Sequence, residues 1–151
     1  MQISITPFTV HKRVALTISR GTHAQSTNLW VRLAADGIEG WGEATPFSVG
    51  THTQTVTQLQ QELTDLTPVL SEFHPLERQR LAPHLAALSS AARAAIDVAL
   101  HDWLGKQVGL PLWQLWGLDR QQIGPTAVTI GISAPEPAVQ RLHQWQTQLP
   151  D

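Results

Sequence analysis

Asn28-Leu29-Trp30-Val31-Arg32-Leu33-Ala34-Ala35-Asp36-Gly37-Ile38-Glu39-Gly40-Trp41-Gly42-Glu43-Ala44 is the most legible stretch of this sequence. Leu29, Val31 and Leu33 alternate with Trp30, Arg32 and Ala34, the period of two expected of a half-buried strand. Asp36-Gly37 is a hairpin turn, because glycine takes positive φ at no steric cost. Glu39 to Ala44 then returns antiparallel. Upstream, Ile3, Ile5, Phe8 and Val10 place a further strand over residues 3–12, with Pro7 at an edge or a bend. Between these strands, Ser19 to Ser26 is polar and small and reads as a loop. A three-stranded antiparallel meander opens the chain.

Downstream the period changes. Pro46 to His52 reads as a second loop, centred on Gly50. Thr53 to Leu70 sets Val56, Leu59, Leu63, Leu66 and Leu70 at helical spacing. Pro75 can start a short helix, where its missing N–H is no loss. Ser89 and Ser90 offer N-caps for the strongest helix, Ala91 to Gln107. Its stripe is Ala92, Ala95, Ile96, Ala99, Leu100 and Trp103, small enough for another backbone to come close. Gly109 suits the position past its end. Pro111 to Trp116 is a last short helix of the bundle. Thr126 to Ile132 is then a β-branched run, the mark of a strand buried on both faces. Ser133-Ala134-Pro135-Glu136 reads as a capping box for a helix through Val139, Leu142 and Trp145. The fold class is α+β: meander plus helical bundle over residues 1–122, then one βα unit over 123–151. One such unit cannot close a core alone.

Composition narrows the function. The 151 residues are 42% hydrophobic and 15% charged, as in an ordinary globular domain. A net charge of −2 argues against nucleic acid as a partner. The absence of cysteine excludes disulfides, thiolate metal sites and a Cys nucleophile. No basic-then-apolar leader opens the sequence and no apolar run could span a bilayer, so the expectation is a cytoplasmic protein with no membrane partner.

Three motifs in order resemble one known family. They are Gly40-Trp41-Gly42-Glu43-Ala44-Thr45-Pro46, the helix from Ala92 to Lys106, and Gly109-Leu110-Pro111-Leu112-Trp113-Gln114-Leu115-Trp116-Gly117. Together they resemble the N-terminal capping domain of the enolase superfamily, muconate-lactonizing and mandelate racemase-like subgroup. Val128-Thr129-Ile130-Gly131-Ile132-Ser133 is most like the dipeptide epimerases. The resemblance implies a cap over a TIM-like barrel of which only the first βα unit is present here. It implies a barrel that holds Mg²⁺ on three carboxylates and moves a proton α to a carbonyl with lysines. It further implies a dipeptide-type small-molecule substrate, the missing barrel domain as partner, and a homo-oligomeric parent. Lys12 and Lys106 are the only lysines, and neither lies in a Lys-x-Lys strand. By resemblance, that pair falls beyond Asp151. No catalytic residue and no Mg²⁺ ligand is therefore assigned to this chain, and the isolated chain is expected to be inactive. The alternatives are a muconate cycloisomerase or an o-succinylbenzoate synthase, and, in another class, a non-catalytic binding or assembly module.

By the same resemblance, the cap contributes substrate choice. Arg20 is the candidate for a substrate carboxylate, because a guanidinium fork fits two oxygens. Thr22 and His23 line the same loop. Phe47 and Val49 of the second loop would cover an apolar side chain, and Thr129 would reach bound substrate from the strand. The plainer alternatives are a solvated arginine, a half-buried phenylalanine and a threonine that simply suits a strand. Glu43, Asp97 and Asp102 are expected to be structural, with Arg93–Asp97 and Asp97–His101 paired along the helix. A zinc pair of His23 and His52 has no supporting spacing. Trp103, Trp113 and Trp116 are expected in packing.

Overall fold

The computed structural model describes residues 1–49 and 52–149, the side chains of Val49 and His52 excepted. The chain forms two compact units. The first joins Met1–Thr9 to Thr27–Arg120, and the second joins residues 10–26 to residues 121–149. The meander is present as β1 (Gln2–Ile18), β2 (Gly21–Ala35) and β3 (Ile38–Ala44), in the order β1-β2-β3. β1 and β2 run through both units.

In the first unit, the β2–β3 register pairs Leu29 with Ala44, Val31 with Gly42 and Leu33 with Gly40. Leu29, Val31 and Leu33 are fully buried, as their alternation requires. Asp36 and Gly37 both take positive φ, +52° and +76°, as a twisted two-residue hairpin needs. On the opposite face, Phe8 stacks on Trp30 with centroids 4.5 Å apart, and Trp41 meets Trp30 edge-on at 6.0 Å.

Four helices follow: α1 (Val56–Ser71), α2 (Arg78–Ala86), α3 (Ser90–Val108) and α4 (Leu112–Leu115). α1 starts with a true capping box, Thr55 with Gln58, which sequence reading passed over. α2 begins at Arg78 rather than Pro75. His74 N–H donates to the Glu77 carboxylate at 2.8 Å, so residues 74–77 close a turn before the helix can begin. That bond holds the Glu77 carboxyl below its ordinary range. α3 ends in a left-handed Gly109, φ +70°.

The seam between β3 and α3 dominates the core. A Cβ on Gly40 would lie 2.1 Å from the Ala99 carbonyl oxygen, and one on Gly42 2.0 Å from that of Ala95. Glycine on the strand and alanine on the helix thus bring two backbones into contact. Trp103, 1% exposed, closes one end and donates its indole N–H to Ala35 O at 3.0 Å. Asp102 accepts from Trp41 N at 2.8 Å and from Lys106 Nζ at 2.6 Å, while Lys106 also donates to Glu39 O at 2.9 Å. Glu43 accepts from Asn28 Nδ2 at 2.5 Å and from Thr45 Oγ1 at 3.2 Å. Both carboxylates are thus hydrogen-bonded within the fold. Asp97 pairs with His101 (3.4 Å) but not with Arg93. Its guanidinium partner is Arg78, at 3.3 Å from α2. Trp113 and Trp116 stay partly exposed, the first beneath the Arg120 guanidinium at 5.6 Å and the second edge-on to His101 at 5.3 Å.

The second unit departs further from expectation. Residues 19–26 are not a loop. β1 runs to Ile18, the turn is only Ser19–Arg20, and β2 starts at Gly21. A hairpin can be polar on both faces where its ladder, not burial, holds it, so alternation gave no signal there. Residues 124–132 form no strand, and no barrel βα unit is evident. Strand bonding needs a neighbour, and among the described residues no ladder forms here, although Ile132 N donates to Thr17 O at 2.8 Å. Val128, Ile130 and Ile132 are exposed rather than buried on both faces. α5 (Pro135–Gln148) does form, but its N-cap is Ala134 without a side-chain bond. Pro135 takes the first helical position, which moves Ser133 out of capping range, and Ser133 Oγ turns back to Gly131 O at 3.5 Å. No helix among the described residues is long and apolar enough to cross a membrane.

Candidate functional site

The hairpin tip belongs to the second unit. Gly21, at φ +129°, turns the chain sharply after Ser19 and Arg20. Arg20, Thr22 and His23 are all exposed there. Thr22 Oγ1 meets Thr17 Oγ1 across the hairpin at 2.9 Å. Thr129 lies in the irregular segment before α5 in the same unit and shares with Thr17 a cleft of about 500 Å³. Leu16, Gly131, Arg141 and Trp145 also line it. The Arg141 guanidinium stands 5.7 Å from the Trp145 ring, and the Trp145 Nε1 is buried with no hydrogen-bond partner among the described residues. Thus Arg20, Thr22, His23 and Thr129 fall in one unit. Sequence reading missed Thr17 and Gly131, because nothing local to a threonine in a polar stretch, or to a glycine in a β-branched run, announces a contact more than a hundred residues away.

Phe47 and Val49 belong to the first unit. The expected loop over 46–52 contains a small antiparallel pair, β4 (Ser48–Val49) with β5 (His52–Thr53). Phe47 precedes it, is 45% exposed, and accepts from Gln54 N–H at 3.1 Å. Gln54 Nε2 in turn donates to Ser90 Oγ at 3.1 Å, at the start of α3. The Val49 side chain lies outside the described residues, as does that of His52, so the zinc pair is not addressed.

Among the described residues, no three His, Cys, Asp or Glu side chains come together as a metal site would require. Lys106 is committed to Asp102 and Glu39. Arg20, Thr22 and His23 lie exposed at the tip, with the Thr22 hydroxyl paired to that of Thr17, and Phe47 lies exposed beside β4.

Comparison with known proteins gives these elements a context. The hydrophobic dipeptide epimerase of Roseobacter litoralis is 36% identical over 132 residues, 87% of this chain and 37% of that protein. The L-Ala-D/L-Glu epimerase of Bacteroides thetaiotaomicron is 28% identical over 141 residues, 90% of this chain and 36% of its own length. The crystal structure of the dipeptide epimerase of Methylococcus capsulatus, complexed with Mg and the dipeptide L-Arg-D-Lys, aligns with a TM-score of 0.85 at 28% identity, over 97% of this chain and 42% of that one. The chain spans well under half the length of these relatives. A family model, the mandelate racemase / muconate lactonizing enzyme N-terminal domain, matches residues 2–117, from the first strand to the glycine after α4. The chain therefore belongs to the mandelate racemase / muconate lactonizing enzyme N-terminal domain family, the capping domain of the enolase superfamily.

Proposed function

We propose that this chain is the substrate-capping portion of an enzyme that epimerises dipeptides, by removing and returning a proton at the carbon α to a carbonyl. The observation that carries this is the 36% identity to a hydrophobic dipeptide epimerase over 132 residues. The division of labour follows from what the residues here can do. Among the described residues no three His, Cys, Asp or Glu side chains come together, and no chemical step is assigned to them. Residues 1–122 would act as the cap, and residues 123–151 would lead into the barrel that supplies the metal ligands and the lysines. The cap's task is to choose the substrate and exclude water.

The test is solvent exchange. Purified residues 1–151, in deuterated buffer with Mg²⁺ and a panel of dipeptides, should leave the α-proton signal unchanged in NMR. The complete enzyme should exchange it. Exchange by residues 1–151 above background would place the chemistry in the cap and overturn the proposal, as would a complete enzyme inert toward every dipeptide.

Within this proposal Arg20 binds a substrate carboxylate, Thr22 and His23 border it, Phe47 and Val49 cover an apolar group, and Thr129 reaches substrate from the segment beside the tip. Arg20→Ala should leave the folding midpoint nearly unchanged, because exposed positions usually contribute within about 0.5 kcal/mol. In the complete enzyme it should lower kcat/KM for dipeptides with an acidic second residue roughly tenfold or more, the worth of a charge-assisted hydrogen bond. Equal kcat/KM for acidic and neutral dipeptides before and after the change would reduce Arg20 to a solvated surface residue.

A further inference from the structure

The hairpin that carries Arg20, Thr22 and His23 is joined to the segment that carries Thr129 by a backbone hydrogen bond. Ile132 N–H donates to Thr17 O at 2.8 Å. Gly131 eases that approach, since a Cβ there would lie 3.0 Å from Thr17 N, 3.1 Å from Thr17 O and 3.3 Å from Leu16 Cδ1, tight enough to push the neighbours by a few tenths of an ångström. The first two neighbours are main-chain atoms, which cannot swing aside as a side chain would. Thr17 serves twice. Its carbonyl accepts from Ile132, and its hydroxyl reaches Thr22 Oγ1 at 2.9 Å across the hairpin. Thr17 is therefore bonded to the tip by its side chain and to the irregular segment by its backbone.

We infer that Gly131 and Thr17 are positioning residues: their backbone contact fixes the substrate-facing hairpin tip relative to Thr129. The inference rests on the function proposed above and adds residues to it. Neither residue needs to touch substrate. Gly131 admits the contact, Ile132 N–H fastens it, and the Thr17–Thr22 hydroxyl pair passes the constraint to the turn at Ser19–Arg20. A tip so held moves as a strap anchored at residue 17 rather than as a free loop. A small displacement of a binding group is costly, because catalysis depends on the placement of groups to within about 1 Å.

Two measurements separate the inference from the function it rests on. In residues 1–151, Gly131→Val crowds Thr17 with a branched side chain, Gly131→Ala does so less, and Thr17→Val removes only the hydroxyl. Hydrogen exchange read by NMR should show the Ile132 amide about tenfold faster in Gly131→Val, intermediate in Gly131→Ala, and unchanged in Thr17→Val, with residues 124–131 fast in every case. The Ala95 and Ala99 amides report that α3 stays folded. An Ile132 amide that exchanges as fast in the wild type as its neighbours, or is unmoved by Gly131→Val, overturns the contact whatever the enzyme does. In the complete enzyme, Gly131→Val should raise KM for dipeptides roughly tenfold with kcat changed by less than about threefold, and Gly131→Ala should recover part of the loss. Unchanged KM in a variant whose Ile132 amide has been freed would overturn the positioning role and leave the proposed epimerase intact. A complete enzyme with no exchange activity would instead remove the proposed function, and the amide measurement would still decide the contact.

Discussion

Gly42→Ala should lower the stability of the first unit by about 3 kcal/mol or more, at the upper end of what overpacking costs. The new Cβ would sit 2.0 Å from Ala95 O, 2.9 Å from Ala95 C and 3.2 Å from Ala99 N. None of these atoms can rotate away. The strand must instead leave the helix by roughly the missing ångström, a distance at which packed atoms forfeit much of their attraction. The hydrogen bond from Trp41 N to Asp102 spans the same seam at 2.8 Å and would lengthen with it. A domain of this size is stable by about 5–15 kcal/mol in total, so the loss is a sizeable share of the whole. Urea denaturation followed by circular dichroism gives the result directly. The midpoint should fall with little change in slope. Gly40→Ala meets Ala99 O at 2.1 Å and should behave alike, but the double variant should cost less than the sum, because one separation relieves both clashes. A midpoint shift worth less than about 1 kcal/mol would mean that the seam is looser than described.

Trp103→Ala should cost about 3–5 kcal/mol, the usual range for deleting a buried aromatic side chain. Trp103 is the largest fully buried side chain of the core. Its indole N–H is bonded to Ala35 O at 3.0 Å, next to the tight turn at Asp36–Gly37, and its ring meets His74 edge-on at 5.4 Å. His74 Nε2 lies 2.8 Å from Asp36 Oδ2, so the turn is gripped from two sides. Truncation leaves a cavity and strips the Ala35 carbonyl of its donor. Trp103→Phe keeps most of the volume and loses the N–H, and should cost about 1–2 kcal/mol. Thermal or urea unfolding of the pair separates packing from hydrogen bonding. Equal losses in the two variants would assign the whole effect to the hydrogen bond.

Local pattern exposed the first unit well. Leu29, Val31 and Leu33 announce their face by alternation, and the alanines of α3 announce close approach, although only the coordinates pair Ala95 with Gly42 and Ala99 with Gly40. Gly40-x-Gly42 could have been matched to that stripe from sequence, since two glycines on one strand face are an invitation to another backbone. Thr55-x-x-Gln58 is likewise legible as a capping box. Other features were not legible in principle. Arg93 and Arg78 both suit Asp97, and the choice between them is set by how α2 packs on α3. The run from Thr126 to Ile132 has every local preference of a strand, yet strand structure is a relation between segments, and composition cannot supply the neighbour. The tip residues gave the opposite error. Polar on both faces, they looked like a loop, whereas cross-hairpin bonding continues the ladder to within two residues of the apex. Of the candidate site, sequence pointed to residues with suitable side chains, and it could not show that Thr17 and Gly131 touch.

A ladder that persists to the apex also counts in twos. Each residue along β1 and β2 faces opposite to its neighbour, so inserting or deleting a single residue between Val10 and Ser26 would turn every side chain beyond it to the other face. Thr17 and Thr22 would lose their mutual contact, and His23 would exchange places with its neighbours. A change of odd length must be absorbed by the Ser19–Arg20 turn or by a β-bulge.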